Sequence, residues 1–154
     1  MSDTQYEERI VRTLAAFQRN RYDVARFAER TAAADYLARE IRGKRVGFGD
    51  SETLRALSLY ERLSEHNEVI DPPRAGHVGG IEAFLAAGRE ALMTDIFVLS
   101  ANAITEHGQI LNMDGAGNRV AGSLFGHEKT YFVVGINKLV PDIEAGIARI
   151  HRIA

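Results

Sequence analysis

Between Asn102 and Arg119 the chain gathers five polar side chains, Asn102, Asn112, Asp114, Asn118 and Arg119, around the glycines Gly115 and Gly117. Amides, one carboxylate and one guanidinium suit the holding of a small anionic ligand better than proton transfer, because an asparagine is no general base near neutral pH. The apolar run Ile96–Leu99 ends just before Asn102 and Thr105. A turn at 106–109 reverses the chain, and residues 110–114 return it toward the same rim. Gly115-Ala116-Gly117 then allows positive φ and close backbone approach, and Asn118 suits the N-cap of a helix that begins with Arg119. The competing reading is that Asp114 and Asn118 satisfy turn amides while Arg119 pairs with Asp114. Five polar residues exceed what one turn requires, so a pocket is expected.

A second polar turn is Gly47-Phe48-Gly49-Asp50-Ser51-Glu52-Thr53. Gly47 and Gly49 let the backbone approach a ligand, and Ser51 and Thr53 offer hydroxyls beside helix N–H groups, as at an anion site. Asp50 and Glu52 oppose this, since they place negative charge where a phosphate would sit. Either also serves as a plain N-cap. Ligand contact through Gly49, Asp50, Ser51 and Thr53 and a purely structural turn are therefore equal readings. Position 52 is Glu, so the G-x-G-x-x-G dinucleotide fingerprint is absent.

Other chemistries are excluded more firmly. The chain has no cysteine, which removes disulfides, thiol catalysis and an iron–sulfur cluster on its own thiolates. His66, His77, His107, His127 and His151 show no metal-ligand spacing, so no metal site is expected. Four of them read as solvated turn or chain-end residues, and His77, in a Gly-rich stretch, is the one placed to close over a site. No serine lies in a G-x-S-x-G elbow. A net charge of −2 and a pI of about 6.2 give no electrostatic reason for nucleic acid. The longest apolar runs fall far short of the ~20 residues of a membrane helix. MSDTQYEERI lacks the apolar region of a signal peptide, so a cytoplasmic location is expected.

The elements that must position these residues follow from periodicity. Tyr6, Ile10, Leu14 and Phe17 predict an amphipathic helix over 3–19. Residues 21–27 fit either a helix extension or a strand. Thr31 is the expected cap of a helix over 32–42 that stops at Gly43. A strand at 45–49 leads into one helix carrying Leu54, Leu57 and Leu63, then a strand at 68–71 closed by Pro72-Pro73. Residues 74–80 read as a Gly-rich loop. A helix from Ile81, a strand at 95–100, a hairpin over 104–113, a helix over 118–125 ending at Gly126, a strand at 130–134 and a helix from Pro141 complete the chain. Strands alternating with helices predict a three-layer α/β/α fold with a mostly parallel sheet. One domain over 1–154 is expected, with an N-terminal helix (1–19) and a core (20–154).

The series Gly49-Asp50-Ser51-x-Thr53-Leu54, Asn102-Ala103-Ile104-Thr105-x-x-Gly108, Asn112-x-Asp114-Gly115-x-Gly117-Asn118-Arg119-Val120 and Gly135-x-Asn137-Lys138 resembles the lactate-utilisation (LUD) domain family over about residues 20–150. The resemblance implies a fold of the ribose-5-phosphate isomerase and CoA-transferase type, with residues 21–27 as a strand. It adds Asn137 and Lys138 to the candidate site. It implies an accessory or small-carboxylate-binding role in lactate or related organic-acid oxidation, beside iron–sulfur or flavin oxidoreductase subunits. Fuller members carry a sometimes Cys-rich extension, whereas this sequence stops at Ala154 with no cysteine, and with no cysteine for an iron–sulfur cluster no cofactor is expected on this chain. A homodimer suits the fold. The alternative is a stand-alone isomerase or transferase acting on a phosphorylated or CoA-linked small molecule. Isomerases of this fold carry an acid in a G-A-D-x-I segment, and here Asn102 replaces it. Whether the chain turns over a substrate is left open.

Overall fold

Four consecutive apolar residues, Ile96 to Leu99, form a strand with no exposed position, and the fold around them is α/β. The computed structural model describes residues 3–153. The described residues form two compact units, one of residues 27–100 and 114–134, the other of residues up to 26, 101–113 and from 135 onward.

In the first unit the elements run α2 (Arg30–Glu40), β1 (Arg45–Phe48), α3 (Glu52–Ala56), α4 (Leu59–Ser64), β2 (Glu68–Ile70), α5 (Pro72–Ala91), β3 (Ile96–Leu99), α6 (Asn118–Gly122) and β6 (Lys129–Phe132). The helix α1 (Asp3–Arg19) precedes them, and β4 and β5 (below) fall between β3 and α6. The sheet is wholly parallel, in the order β2-β1-β3-β6. Side chains alternate across it with the period of two that a strand imposes. Val46, Phe48, Ile96 and Val98 pack with Leu37 of α2, Leu54 of α3 and Leu59 and Leu63 of α4. Phe97, Leu99 and Ile70 pack on the other face with Ala87 and Ala91 of α5. The expected three layers are thus present, and a sheet covered on both faces explains why its strands are apolar on both. Each fully buried Leu, Val or Phe here contributes about 1.5–3 kcal/mol. Gly47 faces α5, where an added Cβ would lie 2.4 Å from the Ala91 carbonyl oxygen. The close passage of α5 over β1 therefore requires glycine.

The connection from β1 through α3 and α4 leads to β2 on one side, and α5 carries the chain back across to β3 on the other. Strand order reverses between β1 and β3, so their carboxyl ends open a crevice of the kind that binds ligands in open α/β sheets.

In the second unit a short antiparallel pair, β4 (Ala103–Thr105) and β5 (Ile110–Leu111), is joined by β7 (Leu139–Val140) lying parallel to β4. Helix α1 and the last helix, α7 (Ile143–Ile153), complete the unit. The 104–113 hairpin is as expected. Gly108 has φ +76°, and an added Cβ would lie 2.8 Å from the Ala16 backbone, so a side chain is excluded twice over.

Several elements depart from the sequence expectation. Residues 22–27 form no strand. Arg21 ends α1 in the left-handed region at φ +66°. Tyr22 then packs edge-on against Phe17, centroids 5.3 Å apart, and Arg26 pairs with Glu7 at 2.8 Å. Side-chain contacts with α1 take the place of strand pairing. Residues 74–79 are no loop but helical, and α5 is two helices that meet at a kink at Gly80, the second being the helix expected from Ile81. Pro72 and Pro73 occupy the first helical turn, where a missing N–H costs nothing. The only non-helical backbone there is Gly80, at φ +72° and ψ −161°, a conformation open essentially to glycine alone. The helix expected through Leu54, Leu57 and Leu63 is two helices, broken where Ser58 takes φ +50° and ψ +39°. Glu29, not Thr31, precedes α2, and the last helix starts at Ile143, two residues beyond Pro141.

Candidate functional site

The candidate residues divide between the two units. In the first, the chain leaves β1 through Gly49, which is buried, and an added Cβ there would lie 2.8 Å from Arg119 Cγ and 2.9 Å from Leu99 Cβ. The glycine therefore makes room for the stem of Arg119. The guanidinium is fixed by Asp114, whose Oδ1 accepts from Nε at 2.8 Å, while Nη1 donates to the Asp50 carbonyl at 3.4 Å. Side-chain exposures of 14% for Arg119 and 10% for Asp114 make this a largely desolvated ion pair, in which charge counts for more than at a surface. Gly49, Asp50, Asp114 and Arg119 thus meet at the carboxyl end of β1.

Asp114 also performs the capping expected of Asn118. Its Oδ2 accepts from the Val120 amide at 2.7 Å, and the N-cap position itself is Gly117, at φ +81° with no side-chain cap. Only Gly117 of the glycine pair uses positive φ. Asn118 stands inside the first turn of α6, and its Nδ2 is buried without an acceptor among the described residues. Ser51 is the N-cap of α3, accepting from the Thr53 amide at 3.1 Å. The Thr53 hydroxyl accepts from Ser100 at 3.3 Å, across the ends of β1 and β3.

In the second unit Asn102 and Asn112 do come together, but as cross-ties of the hairpin. Asn112 Oδ1 accepts from the Asn102 amide at 3.1 Å, and Asn102 Oδ1 accepts from the Met113 amide at 3.0 Å. Thr105 is buried, its hydroxyl bonded to Gln109 Oε1 at 2.9 Å and accepting the His107 and Gln109 amides. Lys138 Nζ donates to the Ala101 carbonyl at 2.8 Å, and Arg149, which the sequence reading did not single out, donates to the Asn102 carbonyl at 2.6 Å. Asn137 is exposed in a short 3-10 turn, Ile136–Lys138. The Asn102 amide also donates to the Leu111 carbonyl at 3.0 Å, and the remaining bonds satisfy backbone groups in the turns flanking β4 and β5.

A cleft of about 200 Å³ lies beside Gly49 and Asp50, at the carboxyl ends of β1 and β2. Its polar walls include Arg55, Tyr60, Glu61, Asp71 and Arg74, none of which the sequence reading selected. The available signal was Asp71 itself, a carboxylate placed at the end of an apolar strand. Arg55 pairs with Asp50 at 2.7 Å and Glu52 at 2.6 Å. Arg74 donates to Glu61, stacks over the Tyr60 ring at 3.8 Å and stands 3.6 Å from Asp71. Burial pushes the Asp71 carboxyl above the ordinary aspartate range, outweighing the opposing influence of Arg74 and Arg55.

The histidines hold no metal cluster among the described residues. His77 is exposed on α5. His127 departs from the expectation of a solvated ring. It stacks on Phe97 with centroids 4.9 Å apart, Nδ1 lies 2.7 Å from the Thr94 carbonyl, and Nε2 is buried without a partner among the described residues. It sits at the amino ends of β3 and β6, away from the carboxyl-end crevice.

Among known families, the model described as the LUD domain matches residues 10–154. No curated protein and no solved structure matches the chain.

Proposed function

We infer the function of this chain from its family, for it belongs to the LUD-domain family, and we propose that it is a small-carboxylate-binding, accessory component of lactate or related organic-acid utilisation. The family name supplies the link to lactate. The observation that carries the binding role is Arg119, a guanidinium held in a fixed plane by Asp114 and seated against Gly49 where strand order reverses. A guanidinium has five N–H donors in a planar fork that matches a carboxylate. The Thr53 and Ser100 hydroxyls stand at the ends of the same two strands and offer further hydrogen bonds. Partner subunits that move electrons, of the iron–sulfur or flavin type, complete the proposal, as membership of the LUD-domain family suggests.

Thermal unfolding measured against lactate, pyruvate, sugar phosphates and CoA esters tests the reading. A ligand present at ~100 times its Kd adds about 2.7 kcal/mol of stability. Lactate or pyruvate is expected to raise the melting temperature in a saturable way. A response confined to phosphorylated or CoA-linked compounds would replace the accessory role with that of a stand-alone isomerase or transferase.

A further inference from the structure

We propose that the cleft at the carboxyl ends of β1 and β2 binds a vicinal diol, the neutral hydroxyl-bearing part of a sugar-like ligand. At ~30 Å³ per water, its volume of about 200 Å³ holds roughly seven waters, the bulk of a pentose ring or a shorter polyol.

Charge decides the ligand class. Both guanidiniums in the wall are already matched, Arg55 by Asp50 and Glu52, and Arg74 by Glu61 and Asp71. A phosphate or carboxylate entering here meets at least as much negative as positive charge. A cation meets the two guanidiniums. A neutral diol disturbs neither pairing, and it finds acceptors and donors side by side. Asp71 is the anchor. Its side chain is only 13% exposed and its ion-pair partner stands at 3.6 Å, longer than a hydrogen-bonded pair, so a carboxylate largely removed from water can accept a ligand hydroxyl. Charge-assisted bonds of that kind are roughly twice as strong as neutral ones. The adjacent hydroxyl reaches the Arg74 or Asp50 side of the same cleft. Ser58, which also lines the cleft, stands at φ +50° between α3 and α4.

The inference goes beyond the carboxylate reading and stands without it, since Arg119 is not part of the cleft wall. The test is an amide NMR titration of the full chain with ribose and 2-deoxyribose, both as their methyl furanosides because a free 2-deoxypyranose keeps a 3,4-diol, and with inorganic phosphate and lactate. Ribose is expected to shift the amides of residues 49–58 and 71–74 in a saturable manner. Deoxyribose, which lacks the 2,3-diol, is expected to bind about tenfold more weakly, the loss that accompanies one hydrogen bond to a charged group. Asp71→Ala should weaken ribose binding by at least that factor. Asp71→Asn, which keeps the side-chain shape, serves as the folded control should the alanine variant unfold, and is also expected to bind ribose more weakly. Arg119→Met should leave ribose binding unchanged. Equal response to ribose and deoxyribose, a stronger response of these amides to phosphate or lactate, or no saturable shift with ribose would each overturn the proposal. Lactate held at Arg119 is expected to shift the amides of residues 49–53, beside which Arg119 sits, so the comparison of ribose with lactate is read at residues 55–58 and 71–74 alone, and the two readings fail separately.

Discussion

Replacing Asp114 by alanine should be among the most damaging single changes in the first unit. The carboxylate makes two contacts at once, to Arg119 Nε at 2.8 Å and to the Val120 amide at 2.7 Å. Loss of the helix-capping contact costs about 1 kcal/mol. Breaking a buried ion pair by removing one partner costs ~3–5 kcal/mol, because the other charge is stranded in low dielectric. The pair retains exposures of 14% and 10%, so water relieves part of that penalty and about 3 kcal/mol in total is expected. With a urea m-value of ~2 kcal/mol/M, the unfolding midpoint falls by roughly 1.5 M. Arg119→Ala should cost less, about 1–2 kcal/mol, since Asp114 keeps the Val120 amide as a partner. Urea denaturation of the two single variants and the double variant measures all three terms. If Asp114→Ala stays within about 0.5 kcal/mol of the parent, or if Arg119→Ala is the costlier change, the pair is not the keystone of the rim and the argument fails.

Three further outcomes follow from geometry. Gly47→Ala places a methyl 2.4 Å from the Ala91 carbonyl oxygen and 2.8 Å from Thr94 Oγ1, so calorimetry should record a destabilisation of about 1–3 kcal/mol. Ser58→Gly relieves a left-handed residue that costs ~1–2 kcal/mol against ~0.5–1 kcal/mol of glycine entropy, and a small net rise in the urea midpoint is expected. Asp71, whose carboxyl is raised by burial, contributes stability that is fully present below its unfolded pKa and is lost as pH rises through its folded pKa. Asp71→Asn lacks that loss. Its stability relative to the parent should therefore improve from acid toward neutral pH, and a flat difference across that range would contradict the assignment.

The parallel sheet was readable because the runs at 45–48 and 96–99 are apolar on both faces, and only a covered sheet needs that. The hairpin was readable from Gly108, where positive φ is required. Residues 74–80 misled because prolines and glycines mark breaks locally, whereas here Pro72 and Pro73 begin a helix and Gly76 and Gly79 face Phe84 and Ala83. The break at Ser58 has no local signal, since serine is not a residue expected at positive φ. The polar cluster was legible as composition but not as partnership. The pairing of Arg119 with Asp114 belonged to the competing reading of the sequence, and that Asp114 rather than Asn118 satisfies the α6 amide depends on the left-handed turn at Gly117. Arg55 lies on α3, whereas Asp71 holds the N-cap position of α5 and Arg74 stands in its first turn, so Arg55 is brought to that pair only by the sheet order, which no local pattern encodes.

The central claim, a small carboxylate held by Arg119 at the β1 rim, is tested most directly by calorimetric titration of lactate and of pyruvate into the parent chain and into Arg119→Met. Saturable binding by the parent that weakens about tenfold or more in the variant, the loss of one charge-assisted pair, is the result predicted. Equal affinities in the two proteins, or no binding of either acid to the parent, would contradict it.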